Sequence, residues 1–370
     1  MSLVRSIPLL LVLALWPLTA RAQVEHTSLR GTVVDDETGT PLAGAHVFIA
    51  ASMMGTATDD EGRFVLDRVP LGAHRLYVSM IGFEPASRDT LLRQTQPYDF
   101  EFRLAPAIIE VGQVTVSAKE AKRWRRRLRK FTRLFLGETK NAEHTTILNP
   151  EVLSFESSWG RLAASASAPL VIENRALGYR VQYFLKEFIQ SGNTIKYDGE
   201  PLFEELDPES DDLAAKWIEN RRKAYFGSFR HFMLTLLDQR VEDEGFMSFR
   251  RFSLDRLHST HDRFWIDPER ILHEGPSPTE KELRFPGYLE VLYTNELEDE
   301  AFLRWQGRGA WHSPRNQRSW MKLTDGPTLV DHTGEVIDPY GVTVYGYFAF
   351  ERVADELPKE YRPEGPLEPN

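Results

Sequence analysis

The side chains best suited to chemistry in this chain are histidines and hydroxyls, because the sequence contains no cysteine. That excludes disulfides, thiolate nucleophiles and thiolate metal sites. His258, His261 and Asp262 form the tightest metal-like cluster: two imidazoles three residues apart share a face if the segment is helical, and a carboxylate adjoins them. The flanking text, Leu254-Asp-Arg and Phe264-Trp265, suits a polar loop equally well, and no metal is expected there. Ser228 and His231 also lie three apart, but Ser228 sits between Gly227 and Phe229, where it reads as a helix N-cap. There is no Gly-x-Ser-x-Gly elbow. The pairs Glu204-Glu205 and Asp211-Asp212 fall in a charge-rich loop, and Asp35-Asp36 and Asp59-Asp60-Glu61 lack the spaced ligands of a calcium loop. No catalytic residue and no cofactor is expected, and the chain does not read as an enzyme. A hydrolase acting on peptides or envelope polymers, the rival reading, would need the histidine cluster or the Ser228–His231 pair to converge in a pocket.

Two stretches have the composition of contact surfaces. The first runs from Lys119 to Gly137, with Trp124, Leu128, Phe131 and Phe135 on one helical face and Arg125, Arg126, Arg129, Lys130 and Arg133 on the other. It suits contact with an anionic surface or acidic partner, or a connector whose apolar face is docked and whose cations stay in water. The second is Trp217, Arg221, Arg222, Tyr225 and His231, an aromatic and cationic stretch that suits a binding groove or a buried polar network.

The formal net charge is −10, unevenly spread. Nine Lys or Arg and one Glu between Lys119 and Arg133 contribute +8, leaving −18 for the rest, which disfavours nucleic acid as a partner. Apolar residues make up 41% and charged residues 27%, the balance of a globular protein, and 370 residues suggest two domains.

The elements follow from the patterning. Arg5, the apolar run Pro8–Leu18 and Ala20-Arg-Ala22 have the layout of an export signal over residues 1–22, so the mature chain would begin at Gln23. Without cysteine it would not be lipidated, and no later run is long enough for a transmembrane helix. Residues 23–118 read as about seven short strands: 29–34, 43–50, 55–58, 63–66, 74–80, 98–104 and 113–117, a β-sandwich spacing. A basic amphipathic helix follows at 119–137. Residues 138–357 read as an α+β domain, β-rich with a central helical segment, in which Tyr179-x-Val-x-Tyr-x-Leu185 alternates most clearly. Strands are expected again at 246–252, 288–293, 318–323 and 342–350. The prolines at 358, 363, 366 and 369 predict a flexible tail over 358–370. The fold class is thus mainly β with an α+β second domain.

Gly31-Thr-Val-Val-Asp35, Thr40-Pro-Leu-Ala-Gly-Ala45, Thr58-Asp-Asp-Glu-Gly-Arg-Phe64 and Ile81-Gly-Phe83 resemble the carboxypeptidase regulatory-like domain. The resemblance implies a seven-stranded transthyretin-like sandwich, which also occurs at the front of TonB-dependent outer-membrane receptors. It implies no peptidase: His332-Thr-Gly-Glu335 has the local His-x-x-Glu spacing of a zinc carboxypeptidase, but no histidine follows it and Gly334 suits a turn. The remainder, through Asn149-Pro150, Leu177-Gly-Tyr179 and Arg221-Arg-x-Ala-Tyr225-x-Gly-Ser228, resembles envelope proteins of the Bacteroidetes type that carry the same domain in front. Together these resemblances imply an exported protein, periplasmic or associated with the outer membrane, that binds or scaffolds a partner. Outer-membrane receptors or secretion machinery are the expected partners, with membrane-surface or glycan contact as alternatives.

Overall fold

The computed structural model describes residues 25–107, 118–254, 263–308 and 312–363. The export signal, the strand expected at 113–117, the cluster His258, His261 and Asp262, and residues 364–370 lie outside these.

Alternating apolar and polar residues build the front unit from seven strands: β1 (His26–Asp35), β2 (His46–Ile49), β3 (Gly55–Ala57), β4 (Arg63–Pro70), β5 (Gly72–Ser79), β6 (Ala86–Leu92) and β7 (Tyr98–Leu104). They form two sheets, β4-β1-β7 and β3-β2-β5-β6, closed over a core that includes Leu29, Val33, Val47, Phe64, Leu76 and Phe102. Among the described strands of this unit, only the β1–β7 pairing is parallel. Strand β6 departs from the expectation: Ser87, Arg88 and Asp89 carry no apolar alternation, because β6 is an edge strand whose polar side chains discourage further pairing.

The second unit starts with α1 (Ala118–Leu136), followed by β8 (Thr145–Ile147), β9 (Leu153–Ser158), β10 (Arg161–Ala166), β11 (Leu170–Asn174), β12 (Tyr179–Ser191) and β13 (Thr194–Glu205). These six strands make one sheet, with β12 and β13 paired antiparallel along almost their whole length. Helix α1 lays Phe131, Phe135 and Leu136 on the sheet, completing a core with Tyr183, Phe188 and Phe203. The helix therefore supplies one wall of this unit.

Two helices, α2 (Asp211–Tyr225) and α3 (Phe229–Leu237), lead into the third unit. Ser210 and Ser228 cap them, each accepting from a backbone N–H three residues on. Strands β14 (Phe246–Arg251), β15 (Arg263–Trp265), β16 (Leu272–Glu274), β17 (Glu280–Leu283), β18 (Tyr288–Leu297), β19 (Asn316–Leu323), β20 (Thr328–Asp331) and β21 (Val342–Gly346) form two further sheets, β15-β14-β18-β19-β21 and β16-β17-β20. Phe232, Met233 and Leu236 of α3 share a core with Phe246, Leu289, Val291 and Met321. The short helices α4 (Glu300–Trp305) and α5 (Tyr347–Phe350) pack on each other through Phe302, Trp305, Tyr347 and Phe350.

One expectation is corrected here. The strand read over 342–350 ends at Gly346, whose φ of +72° turns the chain into α5. Residues 138–357 hold two hydrophobic cores, one on each side of α2.

The front sandwich is docked against both. Phe48 stacks on Phe184 at 4.7 Å, beside Tyr77, and backbone bonds join Ala51 to Pro201 and Phe203 to Ser52 at 2.9 Å. Residues 358–363, expected to open a loose tail, instead pack. Arg230 donates to the carbonyls of Pro358, Lys359 and Tyr361, and the Lys359 N–H reaches Ala51 O at 2.8 Å. Proline supplies no N–H, but these carbonyls find a buried guanidinium.

Candidate functional site

Helix α1 has two faces with different duties. On the inner one, Phe131 lies edge-on to Phe188 at 4.8 Å and Phe135 to Tyr183 at 5.0 Å. The Trp124 indole donates to Leu153 O at 3.0 Å, Arg127 to Phe155 O at 3.2 Å and Lys130 to Gln190 Oε1 at 2.6 Å. Gly137 ends the helix with a φ of +101°. On the outer face, Lys119, Lys122, Arg123, Arg125, Arg126 and Arg129 are exposed, and none has a hydrogen bond or ion pair among the described residues. Arg133, also exposed, stands 3.6 Å from Glu138. Of the residues singled out on this helix, Arg125, Arg126 and Arg129 are available to a partner. Trp124 and Lys130 are committed internally. A groove of about 460 Å³ runs beside the helix, walled by Leu128, Thr132, Leu136 and Ala142 with Arg129 and Arg133.

The second stretch is largely enclosed within the fold. Trp217 is 6% exposed, Tyr225 7% and His231 2%, so a partner could reach them only by opening the fold. The Trp217 indole donates to Arg175 O at 2.8 Å. Arg221 donates to Leu177 O at 2.6 Å, Gly178 O at 3.2 Å and Glu205 at 2.6 Å, and lies 4.0 Å over the Tyr179 ring. Arg222 is half-buried, 5.7 Å from the Phe226 ring. This network ties α2 to the β11–β12 turn, because the Arg175 and Leu177 carbonyls of that turn find their donors on α2.

Ser228 and His231 are neighbours without forming a nucleophile–base pair. The Ser228 Oγ accepts from the His231 backbone N–H at 3.1 Å and donates to Tyr225 O at 2.6 Å. The His231 Nδ1 accepts from the Gly227 N–H at 3.1 Å, and burial pushes the imidazole down to about 4. His332 and Glu335 belong to the turn after β20, where Gly334 N–H bonds Asp331 O at 3.0 Å with a φ of +83°. Among the described residues, no group of three or more His, Asp or Glu side chains is arranged to hold a metal.

Sequence reasoning missed a cavity of about 240 Å³ where the three units meet. The front sandwich contributes Ala73, His74, Arg75 and Leu91. Strand β13 adds Glu200, and the last unit adds Glu280, Asp331, Glu335, Ile337 and Lys359. Glu200 is buried and accepts from Lys186 at 2.6 Å and Arg75 at 3.3 Å, while Arg75 also reaches Asp89 at 2.8 Å. Burial, helped by the Asp331 charge, pushes the Glu335 carboxyl up to about 7 even though much of its surface opens onto the cavity. Burial also lowers the Lys359 ammonium and takes His74 down to about 4. Glu335 lines a second interior space as well, of about 350 Å³, with Tyr183, Tyr197, Glu351 and Glu356. No local spacing marks these residues, since the three units bring them together from far apart in sequence.

Comparison with known proteins bears on the front unit. Residues 29–116 match the family model of the CarboxypepD_reg-like domain, so this part of the chain is such a domain. No curated protein matches the chain. Among solved structures, 5-hydroxyisourate hydrolase of Klebsiella pneumoniae is 21% identical, over 22% of this chain and 91% of that one, with a TM-score of 0.18. A putative carbohydrate binding protein from Bacteroides uniformis is 10% identical, over 44% of this chain and 60% of that one, with a TM-score of 0.20. Catechol 1,2-dioxygenase from Acinetobacter is 12% identical, over 27% and 58% respectively, with a TM-score of 0.20. These overlaps carry no argument about activity.

Proposed function

Starting from a CarboxypepD_reg-like domain docked on a two-core body, we propose that the protein is an exported, non-catalytic envelope protein that holds an acidic protein partner on the outer face of α1. The observation that carries this reading is the row Lys122, Arg123, Arg125, Arg126 and Arg129, exposed without an ion pair among the described residues in a chain that is otherwise strongly acidic. Such a row attracts and orients an anionic surface from a distance set by ionic strength. A protein fits better than a bilayer. A membrane-bound amphipathic helix must offer its apolar face to lipid, whereas Phe131 and Phe135 are spent on the sheet and the Trp124 indole is hydrogen-bonded inside. The groove along the helix would receive apolar side chains of the partner, leaving the cations to meet its carboxylates.

The test is site-specific cross-linking from position 126 in cells, followed by reconstitution with the purified captured protein. The reading expects one acidic envelope protein, lost when Arg125, Arg126 and Arg129 are changed to Glu, with purified-pair affinity falling steeply as salt rises. Capture unaffected by charge reversal, or binding to anionic vesicles with no protein partner, would remove it.

A further inference from the structure

Lys359 is 9% exposed, and its side chain lines the junction cavity. No hydrogen-bond acceptor or carboxylate lies within reach of its ammonium among the described residues. Its ammonium opens onto the cavity from a residue that is otherwise enclosed, a setting in which an unpaired charge is unfavourable. The backbone nevertheless fixes it there: the Lys359 N–H is tied to Ala51 O at 2.8 Å, and its carbonyl accepts from Arg230 and from Arg362, the latter at 2.9 Å.

The other charged groups of the cavity divide into two sets. Arg75, Asp89, Glu200 and Asp331 are satisfied by one another or by neighbours: Asp331 Oδ1, for instance, accepts from the Thr333 N–H and hydroxyl at 2.8 and 2.7 Å. The carboxylates of Glu280 and Glu335, like the Lys359 ammonium, have no partner among the described residues and stand more than 4.0 Å from it. The cavity thus presents one cation and two carboxylates that do not meet, beside a small apolar wall of Ala73, Leu91 and Ile337. Its 240 Å³ would hold about eight waters at liquid density.

We infer that this cavity is a binding site for a small zwitterion of the free amino-acid class, its carboxylate on Lys359 and its ammonium on Glu335 and Glu280. Each charge left unpaired by the protein then has a complement of opposite sign, and a short aliphatic side chain fills the apolar wall. A carboxylate alone would satisfy Lys359 and leave both glutamates unmet; an amine alone would do the reverse. The site is independent of the basic face of α1, and either can fail without the other.

The experiment uses the full mature chain and three probe sets in calorimetry and thermal unfolding: neutral aliphatic amino acids, the corresponding carboxylic acids, and the corresponding amines. Saturable binding and a raised melting temperature are expected with the amino acids, at least tenfold tighter than with either single-charge set. Lys359→Met should abolish that binding and, with no ligand present, raise the melting temperature, since it removes an unpaired charge. Glu335→Gln should weaken amino acids while leaving the carboxylic acids unchanged. Leu91→Trp, a partly buried wall residue, should block binding by filling the space even if the Lys359 variant folds poorly. No saturable binding by any amino acid at millimolar concentration would overturn the inference. So would unchanged affinity in Leu91→Trp, or a lowered melting temperature in a folded, ligand-free Lys359→Met protein.

Discussion

Gly178 and Trp217 share a space that leaves no room for one more carbon: a Cβ on Gly178 would stand 2.3 Å from the indole ring. The glycine also holds a φ of +71°, which side chains resist. It closes the β11–β12 turn, and Trp217 lies over that turn with its N–H on Arg175 O. Gly178→Ala should therefore cost about 2–3 kcal/mol, combining overpacking with backbone strain. A shift of the urea midpoint with an unchanged slope would verify it, and wild-type stability would refute the close contact.

The two faces of α1 should respond oppositely to mutation. Changing Arg125, Arg126 and Arg129 together to Glu should leave stability within about 0.5 kcal/mol per site, because the three side chains are exposed and make no hydrogen bond or ion pair among the described residues. Phe135→Ala should cost about 3–5 kcal/mol, because that ring is fully enclosed. Chemical denaturation of both variants separates the exposed face of the helix from the face that holds the fold together.

Arg230 is the clamp on the last packed segment, donating to Thr333 O at 3.3 Å and Pro358 O at 3.0 Å as well as to Lys359 O. Arg230→Leu should destabilise by about 3 kcal/mol, the loss of charge-assisted bonds outweighing the easier burial of leucine. It should also open the segment to trypsin at Lys359, which limited proteolysis with mass spectrometry would detect.

The pH dependence of stability follows from groups held away from their ordinary pKa values. Burial pushes Glu296, Glu335 and Glu356 up to about 7 and Asp355 to about 6. A raised carboxyl means the folded state keeps protons that the unfolded chain gives up, so stability falls as pH rises through the folded value. His74 and His231, pushed down to about 4, act in the other window: they weaken the fold as pH drops below 6.5. Between pH 8 and 7 the unfolded imidazoles are still mostly neutral and the raised carboxyls dominate, so the melting temperature should rise on acidification across that interval. Glu356→Gln should flatten the slope, and a melting temperature that falls over the same interval would contradict the assignment.

What the sequence discloses depends on whether the signal is local. The motifs from Gly31 to Phe83 carry the front sandwich because turn glycines and alternating core positions lie within a few residues of each other. Helix α1 was legible for the same reason, from Trp124, Phe131 and Phe135 at helical spacing. Strand β13 escaped, since Gly199 and Pro201 interrupt its text and its pairing with β12 is visible only in three dimensions. The Trp217–His231 stretch could be named but not interpreted, because burial by another unit decides whether an arginine is a contact or a tie. Lys359 was hidden completely, as its prolines pointed to a tail and its partners come from Arg230 and Ala51.

The bond from Met53 N–H to the Glu360 carboxylate spans 307 residues, and that from Lys359 to Ala51 spans one more. During synthesis the front sandwich emerges with its own core complete, yet the face that meets the segment around Lys359 must wait for those residues. At ordinary elongation rates the interval is roughly 15–60 s. Through that time Phe48 and Tyr77 stand uncovered until β12 and β13 arrive, and Ala51 remains unsealed longer still. The newborn chain thus passes through a stage with an exposed aromatic surface that the finished protein conceals, and its need for a holding chaperone should be concentrated there.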